Sequence, residues 1–183
     1  MAINELLEAI SGRIKDAVPG LREAKPHPGR FDATELKRVA TRSPAVMSAC
    51  LGLSVVGDPG TGERDVELVL ASFVVSQGAA DPAAVKAREI VEALVLLLAE
   101  ERWGQANTMA PTRISADNLF GASGESGVAL WAVSWRQVIR IGANVWAESE
   151  NPLKQALVGR APNIGTGHEG DYVLVTGSEE DPL

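Results

Sequence analysis

Three glycine-rich stretches, two histidines and one cysteine are where this chain's side chains and spacing invite a chemical reading. Gly165-Thr166-Gly167-His168-Glu169-Gly170 matches the G-x-G-x-x-G spacing that brings backbone amides against a pyrophosphate. That chemistry needs a strand before the glycines and a helix start after them, so that the helix N-terminus faces the anion. Here a loop precedes and a strand candidate follows, so the segment reads as a glycine-rich loop. Gly57 to Gly62 has the glycine spacing of a phosphate-binding loop, but Glu63-Arg64 stands where Lys-Ser/Thr is required. No lysine can reach a phosphate there, and a hairpin turn is the expectation. Gly121-Ala122-Ser123-Gly124 does not complete the G-x-S-x-G nucleophile elbow, because Glu125 takes the last glycine's place.

The remaining candidates are isolated. His27 lies between Pro26 and Pro28, and His168 lies far along the chain. Neither has a metal-ligand partner at helical or strand spacing. Cys50 sits mid-run among apolar residues and reads as a buried, inert thiol. The acidic pairs around Glu100-Glu101 and Glu179-Glu180-Asp181 read as solvated charge. The residues therefore predict no catalytic centre, no metal and no cofactor.

Composition narrows the classes further. The chain has 183 residues, 45% hydrophobic and 22% charged, which is the profile of a folded globular protein with a core of its own. Its net charge of -7 argues against a general binder of nucleic acid or of anionic membranes. The charge is uneven: residues 142–183 hold seven acids and two bases. A single cysteine cannot form an internal disulfide, which suits a reducing compartment. The stretch MAINELLEAI carries acids where a secretory signal needs bases, and the longest apolar run, Ala93 to Ala99, is far short of the roughly 20 residues of a membrane span.

The elements follow from periodicity. Ile3, Leu6, Leu7, Ile10 and Ile14 recur at helical spacing, which predicts a helix over residues 3–17, ended by Pro19-Gly20. Residues 19–31, with three prolines and two glycines, read as an irregular connection. Asp32 with Glu35 resembles a capping box, and Leu36, Val39 and Ala40 line a short second helix stopped by Pro44. Residues 45–56 and 64–76 read as an antiparallel hairpin, apolar on both faces and therefore expected to be covered on both sides. Asp81-Pro82 is read as a helix start, with the helix running to about Arg102 on a wide apolar stripe. A short strand is expected near 113–118, and the longest strand over 128–141. In that strand Ala129, Trp131, Val133, Trp135, Gln137, Ile139 and Ile141 share one face. Val128, Leu130, Ala132, Ser134, Arg136, Val138 and Arg140 share the other. The predicted core includes Leu6, Ile10, Leu36, Leu94, Leu98 and Val133. The predicted fold class is α+β: a mainly antiparallel sheet packed by about three helices, with an extended C-terminal tail. The division expected is a domain over 1–141 and an acidic, interface-forming tail over 142–183. Tyr172-Val173-Leu174-Val175 is a strand candidate with nothing nearby to pair with.

Four stretches then carry a family resemblance: Pro28-Gly29-Arg30-Phe31-Asp32 leading to Glu35-Leu36; Arg42-Ser43-Pro44-Ala45-Val46 leading to Leu51-Gly52; Asp65 to Val75 before a long helix and Trp103; and Val128-Ala129-Leu130 leading to Trp135-Arg136-Gln137. Over roughly residues 1–141 they resemble the Mu-like phage and prophage family of tail terminator, or tail completion, proteins. The resemblance implies a structural virion protein rather than an enzyme. It implies α+β subunits in a ring, commonly a hexamer, that caps the last ring of the tail tube protein and meets the neck or head-completion proteins, or the sheath. DNA would only pass through the lumen, with no membrane involved, after assembly in the host cytoplasm. A neck, stopper or sheath-terminator ring is the near alternative, and a small dimeric ligand-binding module is the alternative of another class. In the ring reading the tail docks on neighbouring subunits. Trp146, Tyr172, Val173 and Val175 are its contact side chains, and Arg136 and Arg140 are the bases that would receive its acids.

Overall fold

A computed structural model describes residues 2–29, 33–120, 127–147 and 156–176. The chain divides into two compact units, Met1–Ala143 and Asn144–Leu183.

In the first unit the elements run α1 (Ala2–Ala17), β1 (Glu23–Pro26), α2 (Ala33–Ala40), β2 (Ala45–Gly57), β3 (Arg64–Gln77), α3 (Ala80–Leu98), β4 (Thr112–Phe120) and β5 (Val128–Ile141). The five strands form one sheet in the order β1-β2-β3-β5-β4. Only β1 and β2 are parallel. The α+β class is thus as the periodicity indicates: a mostly antiparallel sheet with three helices on it.

The sheet is organised by β3 and β5, which pair without a bulge from Arg64↔Ile141 to Gln77↔Val128. Because side chains alternate between faces, this register assigns every residue of both strands to one side. On the first face Val66, Leu68, Leu70 and Val74 of β3 join Ala129, Val133, Trp135 and Ile139 of β5. They pack under Leu6, Ile10 and Ile14 of α1 and Ala87, Ile90, Leu94 and Leu98 of α3. On the second face Ala71, Phe73 and Val75, with Val128 and Leu130, meet Val39 and Ala40 of the short helix α2. Ser48 and Ser72, both buried in this core, share a hydrogen bond of 2.9 Å across strands.

One buried amide ties the α3–β4 connection to the sheet. Gln137 Oε1 accepts from Trp103 Nε1 at 2.8 Å and from Trp135 Nε1 at 3.2 Å. Its Nε2 donates to the carbonyls of Met109 at 2.7 Å and Glu101 at 3.1 Å. All four hydrogen-bonding capacities of the side chain are used inside the protein. Trp103 reaches this position from a left-handed backbone conformation, φ 58°, and its amide is held by the Glu101 carboxylate at 3.0 Å. The other oxygen of that carboxylate accepts from Arg13 of α1 at 3.0 Å.

Several expectations need correction. Glu23–Pro26 is a strand, not irregular chain: its ladder on β2 is extended by Arg22 N–H to Pro44 O and His27 N–H to Ser48 O, both 2.8 Å. The third helix starts at Ala80 with Ala79 at the N-cap, so Asp81 is a first-turn acid rather than the cap. The helix stops at Leu98, short of Arg102, because the chain must turn to bring Glu101 and Trp103 onto Gln137. Leu36 is only half-buried, since α2 lies at one end of its face. The hairpin is covered on both sides only at that end. Leu51, Leu53, Val55 and Val56 of β2 are exposed. Cys50 is half-buried rather than enclosed, its thiol donating to Gly52 O at 3.5 Å. The Asp32 cap and the 121–126 loop lie outside the described residues.

In the second unit β6 (Ala156–Val158) pairs antiparallel with β7 (Val173–Thr176), with a 3-10 turn at Glu169–Asp171 between them. The 172–175 strand therefore has a partner, which corrects the expectation that nothing nearby pairs with it. The ring of Tyr172 lies against Gly159, where a Cβ would come within 2.1 Å of it. Its hydroxyl accepts from the Gly165 amide at 2.8 Å.

Two substitutions test this account by urea unfolding of the full chain. Leu94→Ala, at a position of α3 that is 1% exposed against the sheet, is expected to cost about 2–5 kcal/mol. Gln137→Leu, which leaves two indole N–H groups and two carbonyls without their partner, is expected to cost about 2–4 kcal/mol. A loss under about 1 kcal/mol at either position contradicts the role given to it.

Candidate functional site

The residues singled out for chemistry are held by structural partners. His27 is buried, and its Nδ1 accepts from the Gly29 amide at 3.2 Å. The proton is then on Nε2, which donates to Glu35 Oε1 at 3.1 Å. Arg38 donates from Nε to the other Glu35 oxygen at 3.0 Å. This chain of contacts fastens α2 to the end of β1. It went unseen in the sequence, because the eight-residue spacing of His27 and Glu35 spans a strand end and a helix start. The Glu35 carboxyl is pushed down to about 2, chiefly by the hydrogen bond from Arg38, with burial opposing the shift.

The glycine patterns form turns. In the β2–β3 turn Asp58 Oδ1 accepts from the Gly60 amide at 2.9 Å and from Arg64 at 3.0 Å, and Gly60 and Gly62 have positive φ. The Gly165–Gly170 stretch leads into a three-residue 3-10 turn rather than a helix. There the Gly167 amide is taken by both carboxylate oxygens of Glu169, at 3.0 and 2.9 Å. His168 Nδ1 lies 3.0 Å from Asp171 Oδ2. Among the described residues no group of three or more His, Cys, Asp or Glu is placed to hold a metal ion. Among the described residues no helix is long and apolar enough to cross a membrane.

What the structure offers instead is surface. On the second sheet face, beyond α2, charge replaces apolar side chains. Arg140 clasps Asp65, its cross-strand partner, through Nε at 2.7 Å and Nη2 at 3.0 Å. Arg136 bonds Glu67. The bond from Arg140 holds the Asp65 carboxyl below its ordinary range. Both arginines proposed as receivers of the acidic tail are thus paired with acids of their own sheet. Trp146 is 72% exposed. On β7, Val173 and Val175 are 66% and 65% exposed, and Tyr172 is half-buried against Gly159. Across the described part of the second unit no residue is buried. The second exposed apolar strip, Leu51 to Val56 on β2, was read from sequence as covered; nothing in its pattern distinguishes it from the buried half of the same strand.

No protein-family model matches the chain, and comparison with curated proteins finds no match.

The Glu35 contacts set an acid dependence. A carboxyl whose folded pKa is depressed adds stability that is fully present above its unfolded value, near 4.5, and is lost as pH falls towards about 2. Glu35→Gln removes that contribution. The stability gap between the unaltered chain and Glu35→Gln, measured by urea unfolding, is expected to be widest above pH 5 and to narrow steadily between pH 4.5 and 2. A gap constant with pH contradicts the assignment.

Proposed function

We propose that this chain is a structural virion protein: a tail terminator whose copies form a ring at the head-proximal end of a phage tail. The ring stops growth of the tail tube and joins it to the neck. The observation that carries this reading is the second unit. A two-stranded hairpin exposing Leu157, Val158, Val173 and Val175, with Val145, Trp146 and Ile164 exposed on the chain around it and no buried residue among those described, lacks the core that makes a short hairpin stable. Such a unit gains its burial from other molecules. The side chains that first suggested chemistry are spent on turns and helix anchoring, which suits an assembly part better than an enzyme. The family resemblance supplies the specific role.

In a ring of identical copies each contact is heterologous, so the patch given by one copy differs from the patch that receives it. Termination requires that one ring face fit the tube end while the other refuses another tube ring. A lumen for DNA is served by a surface without free bases, and the Arg136–Glu67 and Arg140–Asp65 pairs keep the open sheet face close to neutral.

Light scattering and negative-stain microscopy of the purified full chain, alone and mixed with isolated tail tubes, test the proposal. Rings, and caps on one end of the tubes, are the expected result. Removal of residues 144–183 is expected to leave the circular dichroism of the first unit intact while abolishing both. A compact dimer indifferent to tubes would instead favour a ligand-binding module.

A further inference from the structure

Among the described residues, the outer edge of β2 is unpaired from Gly52 onward. The β1 ladder ends at Pro26↔Ser48, and among the described residues no strand pairs with β2 beyond it, on the side away from β3. Edges of this kind usually carry a lysine, a proline or an inward charge that discourages pairing. None stands here: from Ala45 to Gly57 there is no Pro, Asp, Glu, Lys, Arg or His, within a chain of net charge -7. Two bulges, at Cys50/Gly52 and Val55/Gly57, bound a regular stretch from Gly52 to Val55. Through their pairing with Leu68 and Val66, Leu53 and Val55 lie on the first sheet face, yet they are 54% and 63% exposed.

An occupant must be short enough to fit between the end of β1 and the 57–62 turn. It must be uncharged, and it must carry apolar side chains at alternate positions. The other long sheet edge, β4, is nine residues long, bears Arg113 and Asp117, and has Arg113 at φ 52°. β7 meets every condition: Val173-Leu174-Val175-Thr176 is four residues long and uncharged, and Val173 and Val175 are exposed on either side of the half-buried Leu174.

We propose that β7 of a second copy adds to the Gly52–Val55 edge of β2, so that each copy gives a strand to one neighbour and receives one from the other. This rests on the ring-assembly reading and names the contact that closes the ring. Backbone hydrogen bonds supply attraction, and Leu53 and Val55 meeting Val173 and Val175 set the register.

Disulfide trapping of the full chain in a Cys50→Ala background tests it. Val55→Cys paired with Val173→Cys or Val175→Cys is expected, on oxidation, to give a ladder of two, three and more linked copies that dithiothreitol collapses. Val55→Cys alone should give no dimer beyond the level of the parent chain. A dimer from Val55→Cys alone would mean that two β2 edges pair about a two-fold axis. A fast-migrating linked monomer would mean that the hairpin folds back on its own sheet. Absence of links with either pair would mean that the edge is not the receiver. Each of these three overturns the proposal. Val55→Lys and Val175→Lys, at exposed positions, are expected to raise the concentration for half-assembly at least tenfold with unchanged circular dichroism. Light scattering on the same samples separates the two ideas: oligomers without a ladder sink only the strand contact, whereas monomers throughout sink the ring as well.

Discussion

Everything in the first unit hangs on the uninterrupted register of β3 with β5. Fourteen consecutive residues pair without a slip. A shift of β3 by one residue against β5 would turn Leu68 and Leu70 to the side of α2 and set Glu67 and Val69 beneath α1 and α3. The register is held from both ends. At the Gln77 end the Gly78 amide donates to Gly127 O at 3.0 Å, and a Cβ on Gly127 would come within 2.1 Å of Gly78 O. Gly127, at φ 53°, is thus required for both conformation and space. At the Arg64 end Gly142 also passes close, its missing Cβ lying 3.1 Å from the Cα of Glu63.

Given that frame, the two faces solve different problems. The first is a conventional core, in which the indoles of Trp103 and Trp135 sit 6.2 Å apart with one amide serving both N–H groups. That arrangement places polar atoms inside an apolar layer at little cost, because each has a partner. The second face passes from apolar beneath α2 to cross-strand ion pairs beyond it. Such exposed pairs contribute little to stability, typically about 0–1 kcal/mol. Their effect is on what the face attracts: a bare arginine strip would bind acids of any origin, and the pairing with Asp65 and Glu67 suppresses that.

The fold was legible where alternation or helical spacing ran long. The strand over Val128–Ile141 and the stripe of α1 are set by ten or more residues of consistent pattern. The misses share a cause, which is that the deciding partner is remote. Glu23–Pro26 is too short and polar to signal a strand, and it becomes one only because β2 lends it a parallel edge. Gln137 reads as one polar interruption on an apolar face. Its importance comes from groups 28 to 36 residues away. Of the candidate surface, the apolar content of Trp146 and Val173–Val175 was visible, and so was the basic end of β5. That those bases already have acid partners depends on register, which no single strand reveals.

The second unit has a thermodynamic corollary. The heat capacity of unfolding comes mainly from apolar surface newly exposed to water. A segment whose apolar side chains are already wet releases almost none of this signal when it melts. A scanning calorimeter would therefore register mainly the first unit, with the described residues of the second unit nearly silent in the trace. The missing heat capacity would surface on association instead, as a negative change that grows with every side chain the neighbours cover.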